Sequence, residues 1–289
     1  MDLLELGEFK RVFDKYLENF FDQATLESNI KEVLGYAVIN GGKRLRPWLI
    51  YVLGQLLGNN DHETLINLGM AVEILHTASL IHDDLPALDN ATLRRGSLTS
   101  HLKFGEFKAV VSGDYGFVLP LKIINNLKYI DVNNKTLLSE YFIEDTLKLF
   151  EGEMLDLVFE KEELHVNEKD IIDMYSKKTG ALFGLCFSIP FILKKNTFNI
   201  EEIHNTGIYF GIAFQIYDDL KDLSKNSEEL GKDVQKDNYK KTLLNIYSLQ
   251  ETKKMADNYY ESTLNYFRKI NLNKMVELLL NIRNLIESR

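Results

Sequence analysis

Apolar residues recur at helical spacing along most of the 289-residue chain. In residues 3–39 they fall at Leu6, Phe9, Phe13 and Tyr16, which keeps one face of a helix apolar. The same pattern predicts later helices at about 63–84, 106–127, 137–159 and 171–193, and two or more within 242–289. Because only 4 prolines and 17 glycines are available for turns, the pattern predicts an all-α protein.

The composition excludes several classes of protein. A formal net charge of −9 disfavours binding to nucleic acid, which requires a basic face that neutralises phosphates. The single cysteine, Cys186, rules out an intramolecular disulfide and lies in an apolar run too short to span a bilayer. The N-terminus has no hydrophobic signal region. We therefore expect a soluble, cytoplasmic protein without a transmembrane segment.

The segment 76–96 ends a predicted helix in a cluster of acids. Pro86 disfavours helical geometry at the residue before it, so the helix should end with Asp83 and Asp84 in its last turn. Asp89 follows shortly after. Negative charges at the C-terminal end of a helix are unfavourable unless a cation neutralises them, and ligand sets made only of carboxylates suit Mg²⁺. The cluster therefore predicts a magnesium site.

A second acid cluster lies in the segment FQIYDDLKD at 214–222. Asp218 and Asp222 are four residues apart and so share one face of the predicted helix. They can therefore bind one ion from one side. An apolar helix that ends in Asp-Asp thus occurs twice, at 83–84 and at 218–219. A shared cavity, with the two clusters facing each other, would explain both.

Two groups of cations stand out in this acidic chain. Lys43, Arg44 and Arg46 lie in a loop between a Gly-Gly helix stop and a helix-opening proline, and Lys177 and Lys178 interrupt an apolar helix. Guanidinium groups bind phosphate oxygens in a bidentate manner. Two acid clusters that bind magnesium, together with separate cationic groups, suit a substrate that carries diphosphate.

Taken together, the motifs have the order found in one enzyme family. They are GGKRLRP at 41–47, DDLPALD at 83–89 with RRG at 94–96, KTG at 178–180, and FQIYDDLKD at 214–222 with Gly231-Lys232. In these motifs the chain resembles the trans-isoprenyl diphosphate synthases, the short-chain prenyltransferases that make farnesyl and geranylgeranyl diphosphate. The resemblance covers most of residues 40–235.

The resemblance implies a homodimer and an isoprenoid synthase-type helical bundle, with one domain over residues 1–289 around a deep central cavity. It implies Mg²⁺ as the cofactor, held by Asp83, Asp84, Asp89, Asp218, Asp219 and Asp222. The diphosphate of isopentenyl diphosphate would be bound by Lys43, Arg46, His76 and Arg95. The allylic diphosphate would be bound by Arg94, Lys178 and Lys232. Besides Lys178, the catalytic residues would be those whose dipoles stabilise the allylic cation, Thr179 and Gln215.

The implied reaction is ionisation of the allylic diphosphate, attack by the isopentenyl double bond, and loss of a proton. In this family the residues four and five positions before the first acid limit product length, and here they are Ser79 and Ala78. Bacterial farnesyl synthases commonly have an aromatic residue at the position of Ala78. Its small side chain predicts a C15 to C20 product and favours geranylgeranyl diphosphate. Glu153 is a departure, because the family often has Gln there.

Three other functions compete with this one. A terpene cyclase would share the fold and an acid motif but binds no second diphosphate, so Lys43, Arg46 and Arg95 count against it. A non-catalytic regulatory subunit of another prenyl synthase would lack the second acid cluster, which is present here. A His-Asp metal site of the phosphohydrolase type at His82 would need further histidines on neighbouring helices. The residues favour the catalytic prenyltransferase.

Overall fold

A computed structural model describes residues 5–59, 61–194, 198–229 and 241–287. Its α-helices are α1 Leu6–Gln23, α2 Ser28–Ile39, α3 Leu45–Leu56, α4 His62–Asp83, α5 Ser100–Phe104, α6 Glu106–Asn126, α7 Val132–Lys161, α8 Glu168–Tyr175, α9 Ala181–Leu193, α10 Ile200–Glu229, α11 Leu249–Lys269 and α12 Asn273–Glu287. A π-helical turn at Ser176–Gly180 joins α8 to α9, and a 3₁₀ turn lies at Leu243–Asn245. The prediction of an all-α protein is confirmed.

One short hairpin interrupts the helices. β1 (Leu93–Arg94) pairs antiparallel with β2 (Ser97–Leu98). Arg95 and Gly96 connect them with φ of 54° and 79°, the left-handed conformations that a tight hairpin turn requires. The sequence pattern did not predict this hairpin, because strands of two residues are too short to show an alternation of apolar and polar positions.

The chain divides into two compact units, the first of which contains residues 1–143 and 189–196. Its central helix, α4, is buried on almost all sides and packs against α3 and α6. By length and composition α4 could span a membrane, but 83% of its most apolar window is buried inside the protein. That degree of burial is typical of a core helix.

The second unit contains residues 144–188 and 197–289, and its core is aromatic. Phe183 and Phe187 of α9 pack on Phe210 of α10, with ring centroids 4.9 and 5.7 Å apart. The π-helical turn approaches α10 closely, because a Cβ at Gly211 would lie 2.5 Å from the Cα of Gly180. This contact places the turn directly against the middle of α10. One domain over residues 1–289 and a deep central cavity stay predictions.

Arg44 connects three helices of the first unit. Its side chain is fully buried and binds Asp14 of α1 and Glu73 of α4 at 2.7 Å each. It also donates a hydrogen bond to the carbonyl oxygen of Val38, near the end of α2, at 2.7 Å. A buried charge is tolerated when it is paired and hydrogen-bonded in this way. Arg44 therefore belongs to the core, which corrects its sequence-based grouping with the phosphate-binding cations Lys43 and Arg46.

We expect Arg44→Ala to lower the free energy of unfolding by about 3–5 kcal/mol, because Glu73 would remain buried without its partner. Urea denaturation of the two proteins measures the difference. The matched control is Arg11→Ala, since Arg11 lies 3.9 Å from Glu8 on the exposed side of α1 and should contribute less than about 1 kcal/mol. Equal losses in the two variants would contradict a structural role for Arg44.

Candidate active site

The first acid cluster lies where α4 ends. Asp83 is the last helical residue and Asp84 caps the helix, as the position of Pro86 predicted. The chain then folds back, and the backbone N–H of Asp89 donates to the carbonyl oxygen of Asp83 at 2.9 Å. Asp83 is half-buried and Asp89 is exposed. The backbones of two acids six positions apart in sequence therefore lie next to each other, and both residues are accessible to solvent.

Asp84 has a different environment from these two acids. Its exposed fraction is 3%, and its carboxylate accepts a hydrogen bond from Nε of Arg94 at 2.9 Å and another from the same guanidinium. Burial lowers the pKa of Arg94, but the hydrogen bond and charge of Asp84 raise it more. Arg94 therefore holds the hairpin against the end of α4. The predicted roles of Asp84 in metal binding and of Arg94 in diphosphate binding stay predictions, and both would compete with this ion pair.

Three side chains of the first unit form a positive cluster, Arg46, His76 and Arg95. Nη1 of Arg46 lies 3.3 Å from Nε2 of His76. Burial is the largest cause that lowers the pKa of His76 well below its ordinary value, and the charges of Arg46 and Arg95 lower it further. Burial and the two guanidinium groups together keep this imidazole neutral, and the guanidinium groups leave an excess of positive charge beside it. An anion can bind there.

The Gly-Gly turn shapes this positive cluster. Gly41 and Gly42 follow the end of α2 with φ of 106° each, as the sequence predicted for a helix stop. Arg95 donates to the carbonyl oxygen of Gly41 at 2.7 Å, and a Cβ at Gly42 would lie 2.9 Å from Cζ of Arg95. Only glycine leaves room for this guanidinium. Lys43, the fourth residue predicted to bind isopentenyl diphosphate, is exposed in the same loop.

The two residues predicted to limit product length lie on the buried side of α4. Ala78 is fully buried, and a Cβ at Gly116 of α6 would lie 2.8 Å from the Cβ of Ala78. Ser79 donates its hydroxyl hydrogen to the carbonyl oxygen of His76 at 2.8 Å. Ala78 therefore lies at a close contact between α4 and α6 that only small residues permit. Its influence on product length stays a prediction.

Lys178 lies in the π-helical turn of the second unit and has two acidic partners. Its Nζ is 2.6 Å from Glu153 and 2.5 Å from Asp156, both on α7. Burial lowers the pKa of Lys178, but the charges of Asp156 and Glu153 raise it more. The lysine therefore stays charged. The sequence showed Lys177 and Lys178 interrupting an otherwise apolar helix, and in the structure the π-helical turn lies at this interruption.

Glu153 is the residue that departs from the family pattern, and the structure shows what it contacts. By formal charge, the group made of Lys178, Glu153 and Asp156 has one more negative than positive charge. An anion that binds Lys178 must compete with two carboxylates. Sequence analysis did not single out Asp156. One sequence signal could have identified Asp156. It lies three residues after Glu153 in GEMLD, and this spacing brings both acids to one face of a helix.

Thr179 and Gln215 belong to a chain of hydrogen bonds within the second unit. Thr179 Oγ1 donates to Gln215 Oε1 at 2.8 Å, and Gln215 Nε2 donates to Asp219 Oδ1 at 2.9 Å. The phenol of Tyr175 donates to the other oxygen, Oδ2, of Asp219. Burial is the main cause that raises the pKa of Tyr175, and the charge of Asp219 adds to it. The sequence paired Thr179 with Gln215 but gave no signal for Tyr175.

The other acids of the second cluster lie on the accessible side of α10. Asp218 and Asp222 are exposed and one helical turn apart, as their spacing predicted. Asp219 is half-buried because of its place in the hydrogen-bond chain. Lys232, predicted to bind the allylic diphosphate, lies outside the described residues.

The donor groups fit Mg²⁺. Among the described residues, no group of three or more His, Cys, Asp or Glu side chains could hold a metal ion. Mg²⁺ does not require such a group, since it usually takes one or two carboxylates and completes its shell with water and phosphate oxygens. The pair Asp83 and Asp89, and the pair Asp218 and Asp222, provide carboxylates of this kind.

The family model described as polyprenyl synthetase matches residues 27–278. The chain belongs to the polyprenyl synthetase family. This polyprenyl synthetase is also 32% identical to the farnesyl diphosphate synthase of Haemophilus influenzae over 286 residues, which cover 95% of each chain. The sequence-based resemblance to trans-isoprenyl diphosphate synthases, and with it the class of trans-prenyltransferase, is confirmed.

Solved structures of relatives have the same fold as this polyprenyl synthetase. The geranyltranstransferase of Thermotoga maritima is 36% identical, with a TM-score of 0.85 over 98% of this chain and 99% of that chain. The geranyltransferase of Helicobacter pylori, solved in complex with magnesium and isoprenyl diphosphate, is 25% identical, with a TM-score of 0.76 over 100% and 98% of the two chains. The predicted isoprenoid synthase-type helical fold is confirmed.

We expect Glu153→Gln to tighten the binding of inorganic diphosphate, in the presence of magnesium, by about three- to ten-fold. The variant removes one of the two carboxylates that compete for Lys178, and one unit of charge at short range is sufficient for such a change. Isothermal calorimetry measures the affinity. Glu151→Gln is the control, because Glu151 lies on the same helix but pairs with Lys177. Unchanged or weaker binding in Glu153→Gln would contradict the competition.

Proposed function

We propose that this polyprenyl synthetase condenses isopentenyl diphosphate with an allylic diphosphate to give a short-chain all-trans prenyl diphosphate. One observation supports this most directly. The first unit combines an accessible acid pair, Asp83 and Asp89, with the positive cluster of Arg46, His76 and Arg95. The acid pair suits a diphosphate bound through magnesium, and the positive cluster suits a diphosphate bound by side chains alone. The reaction requires two diphosphate sites of these kinds.

The family resemblance gives each group a role. Magnesium would be held by Asp83, Asp84, Asp89, Asp218, Asp219 and Asp222, and when bound it would neutralise the diphosphate that leaves. Arg94, Lys178 and Lys232 would bind the remaining oxygens of the allylic diphosphate. The Helicobacter pylori relative was solved with magnesium and isoprenyl diphosphate, which supports magnesium and a prenyl diphosphate as ligands here.

The reaction breaks one C–O bond and forms one C–C bond. The bond between allylic C1 and the diphosphate oxygen breaks, and its electron pair leaves with the diphosphate. The double bond of isopentenyl diphosphate then attacks C1, and the new cation loses a proton to the departing diphosphate. The oxygen dipoles of Thr179 and Gln215 would stabilise the allylic cation. No separate protein base is needed.

We propose products of C15 to C20 from dimethylallyl, geranyl or farnesyl diphosphate, with geranylgeranyl diphosphate favoured. The argument is the small side chain of Ala78, which puts no aromatic ring at this turn of α4. Relatives named farnesyl diphosphate synthase and relatives named geranylgeranyl diphosphate synthase match the chain at similar identity, 31–35%. Sequence identity does not distinguish the two products.

We further propose a homodimer located in the cytoplasm. The helix α6 has a row of exposed apolar side chains, Phe107, Val111 and Val118, which are 72%, 53% and 65% exposed. Their spacings of four and seven residues place them on one face of the helix. Apolar rows of this kind are typical of protein interfaces, and the family resemblance implies a second copy of the chain as the partner.

A non-catalytic regulatory subunit is the second candidate. Such a subunit would bind prenyl diphosphates without turnover. Asp218 and Asp222 are present and exposed in the second acid cluster, so the residues whose loss would mark a regulatory subunit are in place. A terpene cyclase is disfavoured because the positive cluster has no ligand in that reaction.

Asp83→Ala and Asp218→Ala should each reduce kcat by about 10²-fold or more, since each removes a carboxylate from a site that stabilises developing negative charge. Steady-state assays with geranyl and isopentenyl diphosphate measure the loss, and chelation of magnesium should abolish turnover in the unmodified protein. Asp173→Ala is the control, because Asp173 is exposed on α8 and pairs with Lys177. Turnover near that of the unmodified protein in either variant would contradict the metal assignment.

Product analysis tests both the reaction and the chain length. Purified protein with magnesium and isopentenyl diphosphate should elongate dimethylallyl, geranyl and farnesyl diphosphate, and the farnesyl primer should give a C20 product. Chain lengths are measured by chromatography after phosphatase treatment. Accumulation of C15 with no use of the farnesyl primer would contradict the preference for C20. Absence of condensation with every primer in a folded protein would support the regulatory subunit.

The double variant Val111→Glu with Val118→Glu should be monomeric in sedimentation velocity, because two charges would then lie in the apolar row of α6. The unmodified chain should be dimeric. Val12→Glu is the control, since Val12 is an exposed apolar residue of α1 outside this row. A dimer that survives the double substitution would show that the interface lies elsewhere.

A further inference from the structure

The hydrogen-bond chain of the second unit has a fixed direction. Asp219 accepts hydrogen bonds on both carboxylate oxygens, Oδ2 from Tyr175 and Oδ1 from Gln215. An ionised carboxylate can only accept, so the NH₂ group of Gln215 must face it. The carbonyl oxygen Oε1 of Gln215 therefore faces Thr179, whose hydroxyl hydrogen it accepts at 2.8 Å. No other orientation of the Gln215 amide satisfies these contacts.

This direction determines what Thr179 and Gln215 can offer a ligand. Thr179 uses its single hydrogen in the bond to Gln215, which leaves the lone pairs of its oxygen. The Gln215 amide has its hydrogens on the side of Asp219 and its oxygen on the side of Thr179. Both residues therefore present the negative ends of their dipoles. A developing carbocation requires this polarity, whereas a reversed amide would present N–H groups and repel it.

Tyr175 is the residue that keeps Asp219 in this position. It is the last residue of α8 and is only 2% exposed. Asp219 lies four residues after Gln215 on α10, so the two can meet by helical spacing alone, but that spacing does not fix the rotation of the carboxylate. The phenol fixes this rotation by bonding the second oxygen. Because Tyr175 directly precedes the π-helical turn, the same contact also ties the turn that bears Thr179 to α10.

We infer that Tyr175 is a positioning residue for prenyl transfer, which acts through Asp219 to orient the Gln215 amide, so that Gln215 and Thr179 present oxygen to the allylic cation. Within the second acid cluster this replaces the magnesium role that the family resemblance gives to Asp219. Asp219 orients the amide, and the exposed Asp218 and Asp222 are the carboxylates directed to magnesium. The inference rests on the proposed function, since it concerns the cation of that reaction.

Tyr175→Phe removes the phenol oxygen and leaves the ring. Two measurements on this variant test the inference. Single-turnover rates with geranyl diphosphate should fall about 10- to 100-fold, the usual cost of losing a group that orients a ligating or catalytic residue. The fall should be larger with 2-fluorogeranyl diphosphate, because fluorine destabilises the cation and makes the reaction depend more on the dipoles. Calorimetric affinity for the unreactive geranyl thiolodiphosphate with magnesium should stay within about two-fold, since Tyr175 binds neither.

The matched control is Tyr260→Phe. Tyr260 is fully buried in the same unit and donates its hydroxyl hydrogen to the carbonyl oxygen of Leu279. The Tyr260→Phe variant also loses one buried hydrogen bond. Its melting temperature should therefore fall, while its rates with both substrates stay unchanged. A purely structural role for Tyr175 would give the same result as this control.

A double-mutant cycle with Gln215→Leu asks whether Tyr175 acts through the amide. In the Gln215→Leu background, Tyr175→Phe should change the single-turnover rate by less than about two-fold, because residues that act through one another are not additive. Asp219→Asn provides a second variant. It should show the same rate loss with the same retained affinity for the thiolodiphosphate.

The possible outcomes separate the inference from the proposed function. Unchanged rates in Tyr175→Phe, or equal rate losses with the two substrates, would overturn the inference while the reaction stands. A loss of thiolodiphosphate and magnesium affinity equal to the loss of rate would also overturn it, because Asp219 would then be primarily a metal ligand. If the unmodified protein shows no condensation at all, the proposed function fails and the inference fails with it.

Discussion

The first unit depends on one buried cation. Arg44 joins α1, α4 and the end of α2 through Asp14, Glu73 and the carbonyl oxygen of Val38. Its backbone takes the left-handed conformation, with φ of 55°. Neighbouring residues of the loop therefore point to different sides, some into the core and others outward. Arg44 points into the core, and its neighbours Lys43 and Arg46 are left on the accessible side of the same loop. The proposed anion site of this unit thus lies beside a cation that is buried in the core and pairs with Asp14 and Glu73.

Two of the cations proposed to bind the allylic diphosphate are held by acids. Arg94 binds Asp84, and Lys178 binds Glu153 and Asp156. Such pairing keeps long cationic side chains ordered before a ligand arrives, which saves the entropy of ordering them later. It also weakens binding, because the ligand must replace a carboxylate. The positive cluster of Arg46, His76 and Arg95 is different, since burial first, and the charges of Arg46 and Arg95 second, lower the pKa of its histidine.

Local signals in the sequence were sufficient for the ends of helices and for the acid clusters. Pro86 placed the end of α4, Gly41 and Gly42 placed the end of α2, and helical spacing put Asp218 and Asp222 on one face. These features depend on a few neighbouring residues. Residue type alone showed that cations lie near the Gly-Gly turn, but it could not show which of them point inward.

The features that the sequence did not reveal depend on tertiary contacts. Tyr175 meets Asp219 across 44 positions of sequence, and the direction in which Arg44 points is decided by Glu73, 29 positions away. The hairpin at 93–98 is too short for any periodicity. The position of Asp156 beside Lys178 also needs the packing of α7 against the π-helical turn. In each case the residue type alone carries no sequence signal, and the contact is evident only in the folded structure.

The π-helical turn also has an evolutionary consequence. A π-turn holds one residue more than the α-helical turn it replaces, so deletion of a single residue from Ser176–Gly180 would restore a regular helix through α8 and α9. That helix would have better hydrogen-bond geometry, but it would lack the widened turn in which Thr179 meets Gln215. Loss of one residue here would therefore improve the helix and remove this contact, so selection for the contact, and not for the backbone, would retain the extra residue.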